Sequence, residues 1–225
     1  MQNPVRRSLP RNIAALFGLS VLVAQWGCSH TVIAPTVLVH VAPRIDLKSY
    51  GTIGIVEFAS NSDLSLNNYA TQQFQEAVQE ANPGLPILEL GNRAVVLAAV
   101  GATQFNAETI TRIGKKYGVR AVFIGEIAYS QPKTDVRLTA VNKLEGGVRT
   151  EIRGDMSAKL METQSGASVW GSSAWAKRQI SNFSLSTQHG VSASVRDSDP
   201  RKEMVPALIG HITDDFRPTF VRQAA

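Results

Sequence analysis

The sequence predicts an α/β domain: a mixed sheet with a βαβαβ first half, antiparallel hairpins in the second half, and helices packed on the sheet. Three observations carry this. Two runs rich in β-branched and aromatic residues, Thr52 to Phe58 and Arg120 to Ile127, bracket two segments of helical spacing. Beyond Asp135 the apolar residues instead alternate with polar ones. A last helical pattern, over Met204, Leu208, Ile212 and Phe216, closes the chain.

In chain order, Ser29 to about Pro43 is almost uncharged, contains Pro35 and Pro43, and reads as a tether that adds a strand through Val37 to Val41. The folded domain is expected to start near Ile45 with Ile53 to Phe58 as its first core strand. Asp63 or Ser65 caps a helix carrying Leu66, Ala70, Phe74, Ala77, Val78 and Ala81 on one face, and Asn82-Pro83-Gly84 stops it. Pro86 to Leu90 is a short strand. Ala94 to Val100 is apolar on every side, which fits a buried helix or a strand, with the balance toward helix. Asn106 caps a clearer helix, with Glu108 in its first turn, Lys115 and Lys116 in its last and Gly118 beyond it, so cap, dipole and C-terminal glycine agree.

In the second half, Val136, Leu138 and Ala140 alternate, Gly146-Gly147 is read as a turn, and Val148, Thr150 and Ile152 alternate on the way back. Met156, Ala158 and Leu160 lead to a second turn at Gln164-Ser165-Gly166, and Val169, Trp170 and Trp175 begin the returning strand. Hairpins are thus expected at about 135–153 and 180–196. Pro206 is expected to kink or start the last helix, and Pro218 to end it.

The first residues have a different character. Arg6, Arg7 and Arg11 precede an apolar run from Ile13 to Ala24, followed by Gly27 and Cys28, the one cysteine of the chain. The run is shorter than the roughly 20 residues of a spanning helix, and its basic flank comes first, as in an export signal. The expected organisation is a signal peptide over 1–27, a tether over 28–44 and one α/β domain over 45–221. Removing the signal leaves 20 basic and 18 acidic residues, so the +5 of the whole chain falls to about +2 and gives no nucleic-acid footprint.

Catalytic chemistry needs convergent groups, and they are scarce. His30, His40, His189 and His211 are scattered without zinc-site spacing. His211 and Asp215 could share a helix face, an arrangement more often a surface hydrogen bond than a ligand set. Gly91 to Gly101 lacks the lysine and hydroxyl of a phosphate loop, and Gly171-Ser172-Ser173 lacks the following glycine of a nucleophile elbow. The chain is therefore expected to be no enzyme, with no metal and no cofactor. Trp170 and Trp175, five apart on a strand, fall on opposite faces, one toward the core and one exposed; they are the candidate partner contacts.

Two resemblances extend this reading. Gly27-Cys28 after the apolar run resembles a bacterial lipobox, although Gln25 and Trp26 depart from the aliphatic and small residues of that pattern. It implies cleavage between Gly27 and Cys28 and acylation of Cys28, and Ser29 in place of Asp implies an outer-membrane destination on the periplasmic face. Gly118-Val119-Arg120-Ala121-Val122-Phe123-Ile124-Gly125-Glu126-Ile127, with Thr163-Gln164-Ser165-Gly166-Ala167-Ser168-Val169-Trp170 ending a later strand, resembles the CsgG-like periplasmic lipoproteins, whose fold is similar to the amino-terminal domain of TolB. That resemblance covers roughly residues 45 to 217. It implies a lipid-anchored envelope module that binds an envelope protein or cell-wall component. The alternative it implies is a secretion-channel subunit forming a homo-oligomeric ring through the two hairpins, against which the thin apolar face of 180–196 weighs.

Overall fold

The structure, a computed structural model, describes residues 36–140, 145–186, 190–195 and 199–224. Gly27 and Cys28, with the whole signal segment, lie outside the described residues, as do the connections 141–144 and 187–189.

The fold is mixed α/β. Its main sheet has eight strands: β2 (Ile53–Val56), β3 (Ala59–Ser60), β4 (Ile87–Gly91), β5 (Ala121–Tyr129), β6 (Lys133–Ala140), β7 (Glu145–Glu162), β8 (Ser168–Ser186) and β9 (Gly190–Val195). The path is β4-β2-β5-β7-β8-β9, with β3 added to β5 and β6 to β7. β2 pairs in parallel with both β4 and β5, as crossover helices require, while β5, β7, β8 and β9 are successively antiparallel. A second sheet of two strands pairs β1 (Thr36–Val41) with β10 (Thr219–Ala224). The chain separates into two compact units, His40–Phe220 and the segments on either side of it.

Among the described residues four α-helices form where their caps dictate. Asp63 accepts from the Leu66 amide and starts α1 (Leu64–Ala81). Asn92 caps α2 (Arg93–Ala99), and Asn106 caps α3 (Ala107–Tyr117), which ends on left-handed Gly118 (φ 69°). α4 (Pro200–Thr213) begins at Pro200 behind the Asp199 cap. Pro206 therefore lies inside this helix and does not start it, because Asp199 and Pro200 supply the start one and a half turns earlier.

The helices fall on both faces of the sheet. On one face α1 and α4 bury Phe58, Phe74, Phe123, Ile152, Met156, Leu160 and Phe216. On the other, α2 and α3 cover Val56, Leu90 and Val122 with Val96, Ile110 and Ile113. Thr163, just beyond β7, bonds the backbone on either side of the α3–β5 turn: its hydroxyl donates to the Val119 carbonyl at 2.7 Å and its amide to the Arg120 carbonyl at 2.9 Å. It reaches them because residue 114 of α3 is glycine: a Cβ there would stand 2.3 Å from Thr163 Cβ.

Gly146 and Gly147 differ from expectation. They are no turn but the start of β7, paired with Leu138 and Arg137. Residues 145–151 of β7 pair with β6, and 154–162 pair with β5. The two partners lie end to end along one edge, so what reads as two hairpins sharing a short strand is one strand of 18 residues.

Tyr129 closes β5. The Asn61 side chain continues the ladder there, accepting from the Tyr129 amide and donating to its carbonyl, both at 2.8 Å. Burial, reinforced by the Asp199 charge, pushes the Tyr129 phenol up to about 12 from 10.0. Below pH 10 the phenol is neutral folded or unfolded. From 10 to 12 only the unfolded chain ionises, so stability declines across that window. Tyr129→Phe is expected to flatten the alkaline decline, seen as a higher urea midpoint relative to wild type at pH 11 than at pH 8. Gly114→Ala is expected to cost about 1–3 kcal/mol through overpacking against Thr163. The check is a lower urea midpoint at unchanged m-value.

Candidate contact face

α2 and α3 cover the β4-β2-β5 side of their face and the end of β7 at Met161, so among the described residues the same face of the rest of β7 and of β8 is open. Alternation places Arg153, Asp155, Ser157 and Lys159 of β7 and Gly171, Ser173, Trp175 and Lys177 of β8 on it. Trp175 is 58 % exposed and lies opposite Asp155. The Arg153 guanidinium stands 4.9 Å from the centre of its ring and the Lys177 ammonium 5.9 Å. Arg153 Nε donates to both Asp155 oxygens, at 3.0 and 2.9 Å, and these bonds hold the guanidinium above its usual range, charged at every accessible pH.

A hollow of about 390 Å³ adjoins this cluster and shares Arg153 and Lys177 with it, its other polar walls including Lys133, Glu151 and Gln131. A second, of about 210 Å³, opens at the other end of the open face between Ile124, Glu126, Lys159 and Met161. There the Arg93 guanidinium stands 5.3 Å from the Phe105 ring centre. Both hollows mix single acids with two or three cations and hold no nucleophile–base pair. The arrangement can grip a surface through an aromatic ring and fixed charges.

Trp170 is on the opposite face and 6 % exposed, so it is core and no partner contact. Its ring packs 4.6 Å from Phe216 by centroids, and its indole N–H donates to Asp215 Oδ2 at 3.0 Å. Asp215, expected to face His211, is used instead by Trp170 and by Arg44, whose guanidinium is 3.5 Å away. Gly171-Ser172-Ser173 sits inside β8. Lys116 does more than complement a dipole: its ammonium donates to the Ala99 carbonyl at 2.9 Å, tying α3 to the end of α2. Among the described residues no three His, Cys, Asp or Glu side chains gather as a metal site, and no helix is long and apolar enough to cross a membrane.

No family model matches the chain, and no curated protein does. Among solved structures it is similar to the PelC dodecamer from Paraburkholderia phytofirmans, at 12% identity and a TM-score of 0.39, covering 81% of this chain and 98% of that one. It is also similar to the C-terminal domain of LpoB from Salmonella enterica, at 14% identity and a TM-score of 0.36, covering 56% and 82%. The lipoprotein GNA1162 from Neisseria meningitidis matches at 15% identity and a TM-score of 0.35, covering 57% and 83%. Likeness at this level assigns neither activity nor partner.

The Arg153, Lys177 and Trp175 cluster is exposed, and such contacts contribute about 0.5–1 kcal/mol each. Trp175→Ala is therefore expected to leave the urea midpoint within that range of wild type. Trp170→Ala, which empties a core position and removes the indole donor of Asp215, is expected to cost about 3–5 kcal/mol on the same measurement.

Proposed function

We propose that the chain is a lipid-anchored protein of the bacterial envelope whose folded domain binds an envelope protein or cell-wall component and catalyses no reaction. The observation that carries the proposal is the order of the first 28 residues: three arginines, a short apolar run, and Gly27 before the lone Cys28. Acylation there supplies the membrane hold, since a cysteine bearing several chains binds far more firmly than the marginal grip of one. Ser29 directs the reading to the periplasmic face of the outer membrane. The open face around Trp175 supplies the contact surface, and the absence of a nucleophile–base pair in its hollows favours binding over catalysis.

The test is the mass of the amino-terminal peptide of protein extracted from membranes. A chain beginning at an acylated Cys28 is expected, together with a Cys28→Ala protein that retains residues 1–27. An unmodified Cys28, or wild-type protein that keeps residues 1–27, would sink the reading.

The second reading, a CsgG-like secretion-channel subunit in an oligomeric ring, draws on the antiparallel extension β6-β7-β8-β9. Its outer strands have 8 and 6 residues, short of the roughly 9–11 that a membrane strand needs. Light scattering in mild detergent decides it. A monomer or dimer is expected, and a ring-sized particle would favour the channel.

A further inference from the structure

The β1–β10 ribbon pairs with no other described strand. Two-stranded ribbons are marginal in water unless something covers them, yet Val37, Leu38, Val39, Val41, Phe220 and Val221 are all exposed here, Phe220 by 66 %. Six large apolar side chains on twelve residues form a patch, where single exposed ones would need no explanation.

The ribbon is also sided. The His40 and Phe220 rings meet edge-on at 5.4 Å, so they share a face. Alternation then puts Leu38 and Arg222 with them, and Val37, Val39, Val41 and Val221 on the other face. One face thus carries the ribbon's histidine and its arginine. The other is built on four valines, and neither strand contains an acid.

Covalent length limits what can cover that face. Eight peptide steps join Cys28 to Thr36, a reach of about 28 Å at full extension. A lipid on Cys28 therefore confines the ribbon to within about one bilayer-core thickness of the headgroups.

We propose that the valine face of the β1–β10 ribbon rests on the phospholipid surface in which the Cys28 acyl chains are anchored, a second and non-covalent membrane contact; this rests on acylation of Cys28. The valines lie at the boundary between headgroups and acyl chains, and Arg222, on the upper face, reaches lipid phosphate or water by its long stem. A face free of acids suits an anionic lipid surface.

The test uses the chemistry of the lone cysteine. In the acylated protein a new cysteine is the one free thiol, so Val221→Cys can carry an environment-sensitive fluorophore alone, with Leu64→Cys, 76 % exposed at the start of α1, as reference. Both proteins are placed in vesicles of phosphatidylethanolamine and phosphatidylglycerol. The label at 221 is expected to shift to the blue and to be quenched by spin-labelled lipids, and the label at 64 to do neither. A label at 221 that stays water-like overturns the proposal. So does a blue shift without lipid quenching that fades as the protein is diluted in excess lipid, the mark of a second copy on the ribbon. Intact mass of the same samples separates the two readings: acylated Cys28 with a water-like label fails the ribbon alone. Unacylated Cys28 fails the anchor, and the ribbon contact falls with it.

Discussion

Everything on the α1/α4 side of the sheet depends on one aromatic cluster and the hydrogen bond that fixes its edge. Phe74 from α1, Phe123 from β5, Trp170 from β8 and Phe216 after α4 meet at centroid distances of 4.6 to 6.5 Å. Tilted and edge-on pairs of this kind contribute about 0.5–1.5 kcal/mol each beyond the area they bury. An indole cannot enter such a cluster without satisfying its N–H, and Asp215 does so from the residue next to Phe216. The same residue's carbonyl accepts the Arg44 amide at 3.0 Å. The beginning of the domain, its central strands and its last helix are joined at one carboxylate and four rings.

The uneven cover of the sheet follows from chain order. The crossovers after β2 and β4 place α1 on one face and the short α2 and α3 on the other. From β5 onward the strands are joined directly, so no further helix arrives until α4, and α4 packs on the face that α1 already occupies. Among the described residues no helix is left to cover the opposite face of β8 and of most of β7. Polar and glycine positions fill it accordingly, with Trp175 standing between two cations.

The first half was legible because its signals are local. Asp63, Asn106 and Gly118 act on their own helices, and Ile53 to Phe58 and Ala121 to Ile127 are apolar on both faces because helices cover both. Trp170 and Trp175 were separable by alternation alone, but which pointed inward required Phe216 and Asp215, more than 40 residues away. Arg153 with Asp155 was invisible as a partner of Trp175 until the register of β7 on β8 was known. Gly146-Gly147 misled because paired glycines mark turns in most contexts, whereas here they lie in a strand flanked on both edges. β10 was missed altogether: Thr219 to Ala224 carries little pattern of its own and takes its form from pairing with β1.

The length of β7 and β8, 18 and 19 residues, has a mechanical consequence. At about 3.4 Å per residue each runs roughly 60 Å. The near half is clamped by α4 and the aromatic cluster; the far half is a four-stranded blade held by ladder hydrogen bonds. Two regimes of cohesion therefore share one continuous backbone. The blade, with fewer buried apolar contacts than the clamped half, is the part of the sheet placed to open first as its own cooperative unit.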